Sequence, residues 1–578
     1  MSPTTTDETP LAALRTALLQ ACAALGAELG ALRGPITLER PPRADFGDYS
    51  TNAALLLAPA VGAPPREIAE RLGDELTRSL GERLERFEVA GPGFLNLFLT
   101  ESWHRGALAR VLAAGDAFGG GGAERPERIL IEFVSANPTG PLVAASGRHA
   151  AYGDALARIL TLYGHQVQRE YYFNDAGSQV RKLGESVRAR ARAEEIPEGG
   201  YEGDYVIELA HAIPGAGELD ADELARLAME QLFARIQATL ERYGVHFDRY
   251  FSERTLHEGD PNGVRRALNE LERRGHVYRA EGALWLRTTA FGDDKDRVLE
   301  RSNGETTYFA ADVAYMVDKR ERGFERQINV FGADHHGYVA RVKAAMQALG
   351  DDPEQLEIVI MQFVHLVERG ERAAMSKRRG VFSTLDELIG EIGVDATRFF
   401  MLQRSHETTV DLDLDLAREQ SSENPVYYVQ YAHARIASVL AKAGAERVAE
   451  AVAALSAGNE AVTGGNEAVA GATAAVAGSS EALAGAGEAL HPAERALIKK
   501  LLAFPGEIEE AATRRAPHRI AAYALELAQD FTAFYRDCHV LGVEPRALES
   551  QRIALSVAAQ RTIARALELL GVSAPTEM

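Results

Sequence analysis

Residues 129–134, Ile-Leu-Ile-Glu-Phe-Val, run apolar almost without a break, enter the turn Ser135-Ala136-Asn137-Pro138-Thr139-Gly140-Pro141-Leu142, and give way to Gly147-Arg148 and Ala155-Leu156-Ala157-Arg158. Buried strand, tight turn and helix in that order commit this part of the chain to a layered α/β arrangement. The turn and the first helical amides then face whatever binds above the sheet edge, where phosphate is the favoured occupant.

Further strand-like runs at 166–173, 328–331 and 358–363 alternate with helical patterns to about Leu402. That alternation predicts a parallel sheet in a nucleotide-binding fold. Gly119-Gly120-Gly121-Gly122 marks a break before it. Upstream, Leu11, Leu14, Leu18, Leu25, Leu29 and Leu32 predict an opening amphipathic helix, followed by a mixed α+β segment. Beyond Asp395-Ala396-Thr397-Arg398 the pattern is helical, and no further strand is expected. Residues 443–489 are rich in Ala, Gly and Glu, with too few large apolar side chains to bury, and read as a mobile insertion. The expected organisation is an α+β domain at 1–120, a Rossmann-type α/β domain at 121–403 and an all-helical bundle at 404–578.

A chain of 578 residues with 46% hydrophobic content can bury several cores. Two cysteines, Cys22 and Cys538, exclude a disulfide scaffold and Cys-rich zinc modules, so no structural zinc is expected. The longest apolar runs fall short of the roughly 18 residues of a membrane helix. Asp7 and Glu8 give the wrong charge pattern for a targeting signal, so a cytoplasmic protein is expected. The net charge of -21 argues weakly against nucleic acid. Lys499-Lys500, Arg514-Arg515 and Arg519 hint at a local basic cluster, with an ordinary solvated helix face as the alternative.

The SANPTGPL turn and its helix resemble the signature region of bacterial arginyl-tRNA synthetases, where an HVGH-type tetrapeptide serves as the class I "HIGH" motif. Here the tetrapeptide reads Val143-Ala144-Ala145-Ser146. The resemblance assigns ATP to Pro138, Gly140, Leu142, Val143, Ala145, Ser146 and Gly147, together with Met375. In the family two histidines of the tetrapeptide donate to the ATP phosphates. Val143 cannot donate, Ser146 is a neutral donor, and Ala145 adds a methyl group where the family has glycine. His149, about 4.5 Å beyond Ser146 along a helix axis, is expected to replace them poorly. Impaired activation follows as an expectation, since losing one transition-state donor costs about 3 to 4 kcal/mol.

Ala373-Ala374-Met375-Ser376-Lys377-Arg378 resembles the KMSKS loop with its first lysine replaced by Ala374, which leaves Ser376 and Lys377 as catalytic candidates. For the amino acid, a guanidinium needs carboxylates in a partly buried pocket. Tyr308 and Asp312 stand i,i+4 on one helix face. The resemblance assigns both to arginine, adds Glu253 for the side chain, and gives the α-amino and carboxylate end to Ser135 and Asn137 with Glu132 behind them. It also adds His336 of Asp334-His335-His336-Gly337-Tyr338, a segment whose adjacent histidines lack further ligands at metal-binding spacing. Asn424-Pro425-Val426-Tyr427-Tyr428-Val429-Gln430-Tyr431 resembles the opening of the family's anticodon-binding bundle, with Tyr431 and Arg435 as candidate tRNA contacts. Phe94 and Asn96 match its tRNA-elbow contacts.

The family implies arginine-tRNA ligation by way of an arginyl adenylate, with tRNA(Arg), L-arginine and ATP with Mg2+ as partners, generally with tRNA present before activation. A monomer is expected. Two alternatives stand beside it: a synthetase-like protein that binds arginine or tRNA without turnover, and a small-molecule nucleotidyltransferase, which would not need the helical C-terminal part.

Overall fold

The computed structural model describes residues 9–26, 32–41, 43–175, 177–372, 384–463 and 489–578. Leu14 and Leu18 bury one face of the first helix, Pro10–Ala24; Leu29 lies outside the described residues. With Ala53–Val61 and Pro65–Leu80 this helix contributes to a core shared with a three-stranded antiparallel sheet, in the order Tyr49–Thr51, Phe94–Leu99, Leu84–Ala90.

The central sheet has five parallel strands ordered Leu356–Met361, Arg326–Gly332, Arg128–Glu132, Gln166–Phe173, Arg249–Ser252. All four runs expected as strands lie in it. Ile129, Leu130 and Ile131 are wholly buried, as a parallel strand covered on both faces requires. The chain leaves Arg128–Glu132 towards one side of the sheet and later returns on the other. The order therefore reverses beside that strand, and the carboxyl ends at Glu132 and Gly332 flank the crevice. The Ser146–Tyr163 helix packs closely beneath, because a Cβ at Gly153 would sit 2.2 Å from the Phe133 ring.

Two expectations need correction. Val410–Asp413 is a strand, parallel to Val364–Glu368, so strands continue past 395. Only Val410 and Leu412 alternate inward, too short a period-two signal to stand out. The segment 443–489 is also not wholly an insertion, because its first part is the Ala445–Thr463 helix. Val448, Ala451, Val452 and Leu455 recur at helical spacing and pack into the core, and Arg447 reaches Glu549 at 2.9 Å. Residues 464–488 lie outside the described part.

The C-terminal helices Pro425–Ala443, Pro492–Thr513, His518–Asp537 and Arg546–Leu570 join the sheet in one continuous core. Arg398, fully buried, ties them to it by donating to the Leu570 carbonyl, the Tyr243 carbonyl and Asp154. A buried cation survives only when paired and hydrogen-bonded in this way. The suggested basic cluster is absorbed by pairing: Lys499 meets Asp48, Lys500 Glu526, Arg514 Glu510, Arg515 Glu357 and Arg519 Glu507.

Candidate active site

Above the carboxyl ends of the central strands lies a cavity of about 840 Å3. Its first wall begins where the strand leaves Glu132. Val134 and Ser135 take positive φ, 67° and 41°, and turn the chain sharply upward. In that turn Ser135 Oγ donates to Glu132 at 3.2 Å and accepts the Tyr172 amide, also at 3.2 Å. The Asn137 side chain accepts the Asn174 amide at 3.1 Å and donates to Gln179 at 3.2 Å. Both residues line the cavity, as the sequence led us to expect.

Facing them, the helix Tyr308–Glu321 presents Tyr308, Asp312, Tyr315 and Lys319 along one face. Glu132 is already paired, because Lys319 Nζ donates to it at 2.6 Å and both groups are buried. That contact makes Glu132 part of the scaffold. Of the three acidic residues assigned to arginine, Glu253 and Asp312 have no Lys or Arg ion pair among the described residues. Glu253 accepts from the Tyr172 hydroxyl at 2.6 Å, and Asp312 accepts from the Tyr338 hydroxyl. Burial pushes the Asp312 carboxyl up to about 7, with Glu253 and Glu132 adding to the rise against the opposing Tyr338 hydrogen bond and Lys319. Burial likewise raises Glu253, against the Tyr172 hydrogen bond. Paired carboxylates that resist ionising form a site which gains most from an arriving cation. Tyr308, 61% exposed, stands at the rim.

The cavity is also lined by Thr139, Val143, Ser146 and His149. The tetrapeptide does not open the helix as expected. Val143 forms an isolated bridge with Thr384, Ala144 and Ala145 make a turn, and the helix starts at Ser146. Other assigned ATP residues pack inward instead. Leu142 is buried and accepts the Leu385 amide at 2.8 Å, and a Cβ at Gly147 would meet Leu385 at 2.7 Å. Pro138 is buried, Gly140 packs beside Tyr205, and neither they nor Ala145 line the cavity. Met375, Ser376 and Lys377 lie outside the described residues, as does the side chain of His336. Its neighbours Asp334 and His335 line the cavity from the turn after Gly332.

Tyr172, Tyr315, Lys319 and Tyr338 escaped the reading of the sequence. Tyr315 and Lys319 follow Asp312 by three and seven residues, so the helix period carried a signal for them. Tyr172 and Tyr338 arrive from other elements, and no spacing announces them. At the end of the neighbouring strand, buried Asp175 accepts from Ser252 at 2.6 Å and from the Arg254 amide at 3.1 Å.

Far from the cavity, Tyr431 is exposed, its ring stacked with Tyr427 at 6.3 Å between centroids. Arg435 lies over both Tyr431 and Tyr535, at 5.2 and 5.3 Å from the ring centroids. Phe94 is 41% exposed, but Asn96 is 3% exposed and accepts from Ser50 at 2.7 Å. Its amide oxygen is tied to the neighbouring strand, and Phe94 is the more exposed of the two.

Three family models match this chain: "Arginyl tRNA synthetase N terminal domain" over residues 12–99, "tRNA synthetases class I (R), catalytic domain" over 220–438 and "DALR anticodon binding domain" over 429–578. Among curated relatives, the arginine-tRNA ligase of Frankia alni is 45% identical over 94% of this chain and 95% of its own length. That of Carboxydothermus hydrogenoformans is 42% identical over 94% of each. The solved arginyl-tRNA synthetase of Thermus thermophilus superposes with a TM-score of 0.71 at 25% identity, covering 98% of this chain and 99% of that one. Likeness of this extent, over all three parts in order, disfavours the reading of a binding protein without turnover. The chain belongs to the arginyl-tRNA synthetases, and is an arginine-tRNA ligase of the class I type.

Proposed function

We propose that the two sides of the cavity divide the substrates of arginine activation between them. The guanidinium of L-arginine lies against Asp312 and Glu253, with Tyr308 at its rim. Its α-amino and carboxylate end meets Ser135 and Asn137, while Glu132 acts through Lys319 as support. ATP enters with its Mg2+ as one substrate along Thr139, Val143 and Ser146, and Asp334 on the facing turn suits the metal better than the phosphates. Lys377 of the KMSKS-like loop then neutralises charge on the leaving pyrophosphate, with Ser376 beside it as a hydrogen-bond donor. The arginine carboxylate attacks the α-phosphorus, pyrophosphate leaves, and the terminal ribose hydroxyl of tRNA(Arg) takes the arginyl group and releases AMP. Positioning and charge stabilisation carry both steps, with no covalent enzyme intermediate.

The observation that carries this reading is that Glu253 and Asp312 line one cavity, each held by a tyrosine hydroxyl and each with its pKa raised by burial. The cluster of exposed Tyr431 and Tyr535 with half-buried Tyr427 and Arg435 supports stacking of anticodon bases. We further propose a cytoplasmic monomer; no helix among the described residues is long and apolar enough to cross a membrane. Calorimetric titration with arginine and with citrulline, its neutral near-isostere, tests the pocket. Arginine should bind and citrulline should not; equal binding would refute a carboxylate-lined guanidinium site.

A further inference from the structure

A helix N-terminus ordinarily offers free amides to a phosphate. Here the amides of Ser146, Gly147 and Arg148 already donate to the carbonyls of Val143, Ala144 and Ala145, at 2.9, 3.0 and 3.1 Å. These three amides are therefore engaged already, which turns attention to the side chains as donors. Val143 and Ala145 have none. Of the helix residues on this side, Ser146 and His149 carry donors into the cavity.

The His149 imidazole is half-buried, close to Gly332: a Cβ built there would lie 3.9 Å from its Cε1. Among the described residues none makes a hydrogen bond to the ring. Its charged and titratable neighbours are Arg148 on its own helix and Asp334 and His335 on the facing turn. Burial, with Arg148 second, pushes its pKa down to about 4, so the ring is neutral near pH 7, with one N–H to give. An unengaged neutral donor on the turn where ATP must lie is a ready phosphate ligand. Lying one helical turn beyond Ser146, it is reached because the chain enters the helix only at 146.

We propose that His149, with Ser146 Oγ, donates to an ATP phosphate and so serves in this chain as the phosphate-binding imidazole of the activation step. The proposal rests on the assignment of ATP to this side of the cavity. It is tested by tRNA-dependent arginine-dependent ATP–pyrophosphate exchange on the full chain, with KM measured separately for ATP and arginine. His149→Ala should lower kcat/KM for ATP about 10²-fold, the cost of one transition-state donor, and leave the arginine KM within about twofold. His149→Asn, which keeps a neutral N–H donor, should recover roughly a tenth of the wild-type value, a rescue that a merely packing role would not give.

Unchanged ATP parameters in His149→Ala, or an asparagine variant no better than the alanine one, would overturn the proposal. Should His149→Ala fail to fold, Ser146→Ala with and without His149→Asn decides the matter. Further loss in the double variant, confined to ATP, supports it; wild-type ATP parameters in both overturn it. Asp312→Asn is the control on the cavity itself. If it leaves arginine KM unchanged while His149→Asn raises it, the two sides are assigned the wrong way round and the proposal falls with them.

Discussion

The two sides of the cavity are built by opposite means. The arginine side is finished before its ligand arrives: Asp312, Glu253 and Glu132 each hold a hydrogen bond or an ion pair from Tyr338, Tyr172 or Lys319. Its polar groups are fixed on a helix and on strand ends. The nucleotide side is sparse, with the amides of Ser146, Gly147 and Arg148 satisfied internally, the half-exposed Val143, Ser146, and an imidazole hydrogen-bonded by none of the described residues. A guanidinium is recognised by fixed planar acceptors, so that side is prebuilt. A phosphate chain carries its own metal and charge and demands less of the resting protein.

That contrast breaks first where the prebuilt side is cut. Lys319→Met would leave Glu132 buried without its cation and should cost about 3 to 5 kcal/mol of folding stability in a denaturant titration. Adding Glu132→Gln should recover most of the loss. Asp312→Asn should weaken arginine by about 2 to 5 kcal/mol while leaving the ATP KM near wild type. Equal damage to both substrates would erase the division.

Tyr431→Ala lies outside both sides and should weaken tRNA(Arg) binding by about 1 to 3 kcal/mol in a filter-binding titration, without changing arginine affinity. The smallest effect is one of pH. Asp312 has a folded pKa raised to about 7, so its contribution to stability is full below its unfolded value and is lost as pH rises through 7. A bound guanidinium favours the ionised form, so arginine binding releases a proton. Arginine affinity should therefore rise with pH, by at most about tenfold per unit, and level off above 7. Asp312→Asn should flatten the profile.

The same contrast explains what could be read from the sequence. Asp312 and Tyr308 were visible because the family resemblance marks them and their i,i+4 spacing puts them on one helix face, and the sheet was visible because its strands are apolar runs. Tyr172 and Tyr338 were not, since tertiary folding alone brings them to their carboxylates. The nucleotide side misled for a geometric reason. The tetrapeptide sits in a turn ahead of the helix, so Gly147 and Leu142 pack on Leu385 while His149 faces the cavity.

The central claim is that this cavity activates arginine although Val143 and Ser146 stand where the family has histidines. The most direct test is ATP–pyrophosphate exchange by the unaltered chain with arginine and tRNA(Arg). Exchange that requires both is the predicted result. Binding of arginine and tRNA with no exchange would contradict the account.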